Sequence, residues 1–178
     1  MNLPSGITSE YLTGLGVTAF GTLDASSIVF SGELREGCNP SQCASYGKSW
    51  ACPPSVGTFE ECRGRCMEYS RALMISSVYE LEDAFDFETM AEGAQTFKRI
   101  CETLHADLNV PHILLANGKC SLCDPCTYPA ESCRFPEKCL HSLSGYGVYV
   151  AATAKRAGLK YNNGENTVTY FALLFYNE

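Results

Sequence analysis

The chain has 178 residues, 11 of them cysteine, and a formal charge of −7 from 13 basic and 20 acidic side chains. A chain of this length buries about two-thirds of its unfolded surface without covalent help. An odd thiol count also cannot pair completely within the chain, so both observations argue against a small disulfide scaffold. The acidic balance, with no basic stripe, argues against a nucleic-acid binder, because phosphate neutralisation supplies most of that affinity.

The opening MNLPSGITSE carries neither a basic nor an apolar signal region, and no apolar run approaches the ~18 residues of a membrane span. The expected location is therefore cytoplasmic, where clustered thiols bind metal more often than they pair. Residues 28–30, Ile-Val-Phe, are a short strand candidate. Residues 37–56 are rich in Cys, Gly, Pro and Ser and lack any period. Irregular stretches of that length are uncommon in compact domains unless they are functional or held by something. Thr58 and Glu61 then form a capping box that opens a helix over 59–69, with Phe59, Cys62, Cys66 and Tyr69 on one face.

A buried strand is expected at 72–79. The acids that follow, from Glu80 to Glu88, read as a solvated loop before a helix. That helix, over 87–109, is the clearest element: Met90, Ala94, Phe97, Cys101, Leu104 and Leu108 recur at alternating four and three. Pro111 stops it and 112–116 reads as a strand. The second irregular, cysteine-dense stretch follows from 117. A helix over 147–157 has Gly158 as its left-handed cap, and a turn at Asn162-Asn163-Gly164 leads into a closing strand over 168–176. The alternation of elements predicts an α/β or α+β sandwich, one mixed sheet with helices. Residues 1–178 make a single metal-binding domain, with cysteine-rich loops at about 37–56 and 117–141 together at one edge.

The thiols sort into groups. Cys120, Cys123 and Cys126 form C-x2-C-x2-C, with Cys133 following. Neighbours at this spacing rarely bridge, but three such thiolates hold three corners of a [4Fe-4S] cluster in bacterial ferredoxin runs. Zinc is the alternative, although its sites usually pair two C-x2-C knuckles. Cys38, Cys43 and Cys52 form the second group, spaced irregularly. Cys52-Pro53-Pro54 is similar to the Cys-Pro that ends a ferredoxin run and ligates the other cluster there. Cys62, Cys66 and Cys101 sit on apolar helical stripes, where a free thiol acts as a small hydrophobe. Seven motif cysteines fall one short of the eight that two all-cysteine clusters need, and Cys62, Cys66 and Cys139 are the candidates for the eighth. His141 is a further possible ligand, whereas His105 and His112 carry no signal. There is no Gly-rich phosphate loop, no Ser/His/Asp constellation, and no third Cys after Cys62-Arg-Gly-Arg-Cys66. Whether the chain is an enzyme stays open.

Two motifs carry a family resemblance: Cys38-x4-Cys43-x2-Tyr46-Gly47-x2-Trp50-x-Cys52-Pro53-Pro54, and Cys120-x-Leu122-Cys123-x2-Cys126 with Cys133-Arg134-x-Pro136 and Ser142. The chain resembles a prokaryotic "predicted metal-binding protein" family, domain of unknown function 2284, from about residue 33 to its end. Ser144 and Tyr149 stand where that pattern has acidic residues. The resemblance implies a bacterial or archaeal cytoplasm and metal binding through these cysteines. The resulting expectation is one or two [4Fe-4S] clusters serving electron transfer or redox sensing in an anaerobic setting, with a redox partner protein. The alternative is a structural zinc or adaptor module in which metal staples the loops.

Overall fold

The computed structural model describes residues 3–177. Its centre is one mixed five-stranded sheet built from β1 (Ala19–Asp24), β2 (Arg71–Glu80), β3 (His112–Ala116), β4 (His141–Ser142) and β5 (Thr167–Tyr176) in the order β1-β2-β5-β3-β4. β1–β2, β2–β5 and β5–β3 are antiparallel, and β3–β4 is parallel. Five helices accompany it: α1 (Ser9–Gly14), α2 (Gly32–Glu36), α3 (Phe59–Met67), α4 (Phe87–Asp107) and α5 (Val150–Arg156). This is the expected mixed-sheet sandwich, of α+β type.

The sheet is buried on both faces, and the strand period of two decides which residue goes where. On one side Ala72, Met74, Phe171, Leu173 and Phe175 pack with Cys62 and Cys66 of α3 and Ala154 of α5. On the other, Leu73, Ile75, Ala172, Leu174 and Tyr176 pack with Phe97, Ile100, Cys101 and Leu104 of α4. The predicted α4 stripe is thus its core face from Phe97 onward, while Met90 and Ala94 are only half-buried. Asp86, one of the acids of the expected loop, accepts from the Thr89 N–H and caps α4.

The helix starting after Thr58 carries the full reciprocal capping box with Glu61. Two expected elements are shorter than the pattern suggests. Residues 28–30 make only a single bridge, Phe30 to Val148, because a 3-10 turn at Ala25–Ser27 precedes them. That bridge takes Val148 out of the last helix, which starts at Val150 after Gly147 turns at φ +74°. β1 has no clean alternation to announce it; Gly21 replaces an inward side chain because the Ala157 carbonyl at the end of α5 passes there. β4 is two residues long, too short for any periodicity.

A Cβ at Gly21 would lie 2.2 Å from the Ala157 carbonyl oxygen, so Gly21→Ala should cost ~3 kcal/mol in urea unfolding by overpacking. Gly64, inside α3, has nothing within 4 Å of such a Cβ, so Gly64→Ala should instead stabilise by ~0.5–1 kcal/mol through helix propensity. Equal effects of the two variants would show that neither packing environment is as described.

Candidate metal centre

Both cysteine-rich loops leave the sandwich on the β3/β4 side, where backbone hydrogen bonds join them. The first loop runs from the end of α2 to the start of α3. Within it the Gly47 N–H donates to the Pro53 carbonyl at 2.9 Å, and the Ser55 hydroxyl donates to the Cys52 carbonyl at 2.6 Å. Arg35 Nη2 donates to the Gly57 carbonyl at 3.0 Å and holds the loop's far end. The second loop leads from β3 to β4. The Ser142 N–H donates to the Ala51 carbonyl at 3.1 Å, and Trp50 Nε1 donates to the Glu131 carbonyl at 3.2 Å. The Trp50 ring also meets Tyr128 edge-on, with centroids 4.9 Å apart. Residues next to Cys52 therefore dock the first loop on the second.

The turn after β4 fits against the same place. A Cβ at Gly145 would lie 3.2 Å from Pro53, so a larger residue would crowd this turn against the stiff Cys52-Pro53 segment. Ser142 accepts from the Gly145 N–H at 3.2 Å and fixes the turn. Burial pushes the Cys38 thiol up, and the nearby Arg35 charge and Ser144 hydroxyl oppose this.

The second loop brings its thiols together. Cys120, Cys123, Cys126, Cys133 and Cys139 line one narrow cavity, with Ser49 and Trp50 of the first loop as part of its wall. Cys139 lies across this cavity from Cys120 and Cys133, close enough for their thiols to influence its protonation. Contact with Cys139, the Leu122 N–H and the Lys98 charge together hold the Cys120 thiol well below its ordinary value, against the opposing effect of burial. The same contact, with burial, pushes Cys139 up, so the proton of the pair resides on Cys139. Cys126 is lowered: burial opposes, but the nearby backbone N–H groups of Tyr128 and Trp50 favour its thiolate.

Cys38, Cys43 and Cys52 also lie close enough for their charges to act on one another. Burial pushes Cys52 up to about 11, and the neighbouring Cys43, Cys38 and Cys120 add to this while Lys98 opposes it. Cys52 and Cys120 thus mark where the two groups meet. All eleven cysteines are free thiols. Cys62 and Cys66 are elsewhere: both are buried against the sheet on α3, and Cys62 donates to the Val56 carbonyl at 3.4 Å. Cys101 is buried under α4. His141 is half-buried, its Nδ1 2.9 Å from the Tyr146 hydroxyl. Burial and the Arg65 charge keep its imidazole neutral, with the pKa down to about 4.

Lys98 is the functional candidate that the sequence reading passed over. It is 7% exposed, although a charged side chain is almost never buried unless it is paired. Its ammonium donates to the Asn117 carbonyl at 3.3 Å. Among the described residues the ion pair within contact distance is Arg71 with Asp24, on the other side of the sheet's order. The Lys98 charge instead acts on Cys52 and Cys120, one thiol from each loop. The signal was present: Lys98 lies four residues after Ala94 and three before Cys101, on the apolar stripe itself.

A family model described as "Predicted metal-binding protein (DUF2284)" matches residues 21–176. The chain belongs to that family. No curated protein and no solved structure matches it. The donor set of this DUF2284 chain suits a thiophilic metal, since the second-loop cavity is lined by five thiols and by no carboxylate or imidazole. The charge of the buried Lys98 acts on one thiol of each loop. Among the described residues no group of three or more His, Cys, Asp or Glu side chains is already set to hold a metal ion. No helix there is long and apolar enough to cross a membrane.

In metal-free, reduced protein at pH 7, iodoacetamide should label Cys120 ahead of Cys52 and Cys66, because the thiolate is the nucleophile. Cys120 labelling should slow as pH falls below its depressed pKa, and at pH 7 it should slow in Lys98→Met, which removes the cation. Peptide mass mapping showing Cys66 labelled first would contradict this ordering.

Proposed function

We propose that the two cysteine loops hold one or two [4Fe-4S] clusters, and that the protein serves electron transfer or redox sensing with a redox partner protein. The observation that carries this reading is the gathering of Cys120, Cys123, Cys126, Cys133 and Cys139 around one cavity, with Cys38, Cys43 and Cys52 adjoining it through Cys52. The C-x2-C-x2-C run supplies three of the four thiolates a cuboidal cluster takes, and all further ligands needed are within the same two loops. When bound, the cluster supplies one-electron redox chemistry. The chain's own part is to provide thiolates, to offset their charge and to screen them from water.

Each of those tasks has residues. Lys98 brings a buried positive charge to Cys52 and Cys120. The half-buried Arg35 adds a second positive charge near Cys38. The N–H groups of Tyr128 and Trp50 near Cys126 favour its thiolate, and backbone donors around sulfur tune a cluster's potential. Trp50, Pro53 and Phe135 shield the loops, and Phe135, 40% exposed, is an apolar contact point for a partner. Since the thiols are grouped but not yet set around a metal, binding includes adjustment of both loops, and metal affinity is coupled to their ordering.

The second reading is a structural zinc site. It is favoured by the meeting of Cys52 with Cys120 across the loops, where a metal would staple one to the other. The two are separated by anaerobic purification with metal analysis and electron paramagnetic resonance. The cluster reading expects brown protein absorbing broadly near ~400 nm, with ~4 or ~8 iron per chain and reversible reduction by dithionite. Colourless protein with stoichiometric zinc and a melting temperature that collapses on chelation would establish the staple instead.

A further inference from the structure

We infer that Cys139 is the eighth metal ligand and that the chain therefore holds two centres, built by eight thiols in two adjoining sets. This inference rests on the proposed thiolate–metal reading and sharpens it. It begins from where the structure puts the three candidates that adjacency in sequence left equivalent. Cys62 and Cys66 turn inward from α3 onto Ala72 and Met74 of the sheet and belong to the core. Cys62 has in addition its own local partners, the Val56 carbonyl and the Arg65 guanidinium, the latter at 3.3 Å. Neither residue lines the second-loop cavity. Cys139 does, alongside Cys120 and Cys133.

The position of Cys139 follows from local structure. The 3-10 turn at Pro136–Lys138 reverses the chain after Cys133, and the Cys139 N–H closes it on the Pro136 carbonyl. The next residues enter β4, which is fixed beside β3 by parallel pairing of Leu115 with His141. Cys139 is thus anchored two residues from the sheet, opposite the start of its own loop, where Cys120 lies. It forms the rigid end of a loop whose other thiols sit on irregular backbone.

Counting then requires two centres. The second loop offers five thiols, one more than a four-thiolate centre uses, and the first loop offers three, one fewer. Cys52 and Cys120 act on one another's charge across the loops, so eight thiols make two sets of four when one second-loop thiol serves the first loop's centre. Lys98 stands beside that same pair, where the charge of two centres would be most concentrated.

The test uses the full chain, reconstituted anaerobically with iron and sulfide, as wild type, Cys139→Ser and Cys101→Ala. The last changes a core thiol. Wild type should bind ~8 iron and Cys139→Ser ~4, with Cys101→Ala matching wild type, as expected for all-cysteine [4Fe-4S] centres. Wild-type iron content in Cys139→Ser, or a wild type saturating at ~4 iron, would overturn the inference while leaving the cluster reading intact. Failure of the wild type to take up iron would overturn both. A second measurement needs no variant: in loaded wild-type protein Cys139 should resist iodoacetamide together with Cys120 and Cys133, and should become labelled after chelation. Labelling of Cys139 in the loaded protein would refute its role even if the serine variant did not fold.

Discussion

The rest of the molecule depends on the long antiparallel pairing of β2 with β5, which runs from Arg71–Tyr176 to Glu80–Thr167 without a break. Both strands are buried on both faces, so the pair can exist only with helices on each side. α4 covers one face with Phe97, Ile100, Cys101 and Leu104, and α3 and α5 cover the other. That demand explains why three thiols are spent as core residues. Cys62, Cys66 and Cys101 are small, apolar and fully buried, and they fill the space where helices lie close to the sheet.

The spine also decides where irregular chain is tolerated. β1 and β4 are short edge strands, and on the β4 side the sheet stops after two residues. Backbone beyond that edge must find its hydrogen bonds elsewhere, and it finds them between loops: Ser142 to Ala51, and Trp50 to Glu131. The cysteines sit next to these joints. The packing that satisfies the loop backbone is therefore the packing that brings Cys52 to Cys120.

Electrostatics completes the arrangement. The chain as a whole is acidic, at −7, yet the buried charge beside the thiols is positive. Lys98 reaches them from α4, with the acidic Glu102 one turn further along the same helix acting in the opposite sense on Cys120. A buried ammonium costs several kcal/mol unless something offsets it. Thiolates gathered by a metal would supply that offset, and the protein would gain in the same step a lower cost for holding them deprotonated.

Much of this was legible in the residues alone. α4 could be read because its stripe repeats over five turns, α3 because Thr58 and Glu61 announce its start, and the strand over 112–116 because Pro111 isolates it. The cysteine loops were legible because they have no period, and the family motifs because their spacing is specific. β1, β4 and the Phe30–Val148 bridge were not, since a short edge element draws its stability from its neighbours and leaves little pattern of its own. The candidate site divides the same way. Spacing alone grouped Cys120, Cys123 and Cys126, which the structure gathers around one cavity, because three residues of separation on one loop keep them close. Only tertiary structure put Cys139 in the cavity and Cys62 and Cys66 in the core, joined the two loops, and brought the Lys98 charge to bear on Cys52 and Cys120, because each of these relations links segments distant in sequence.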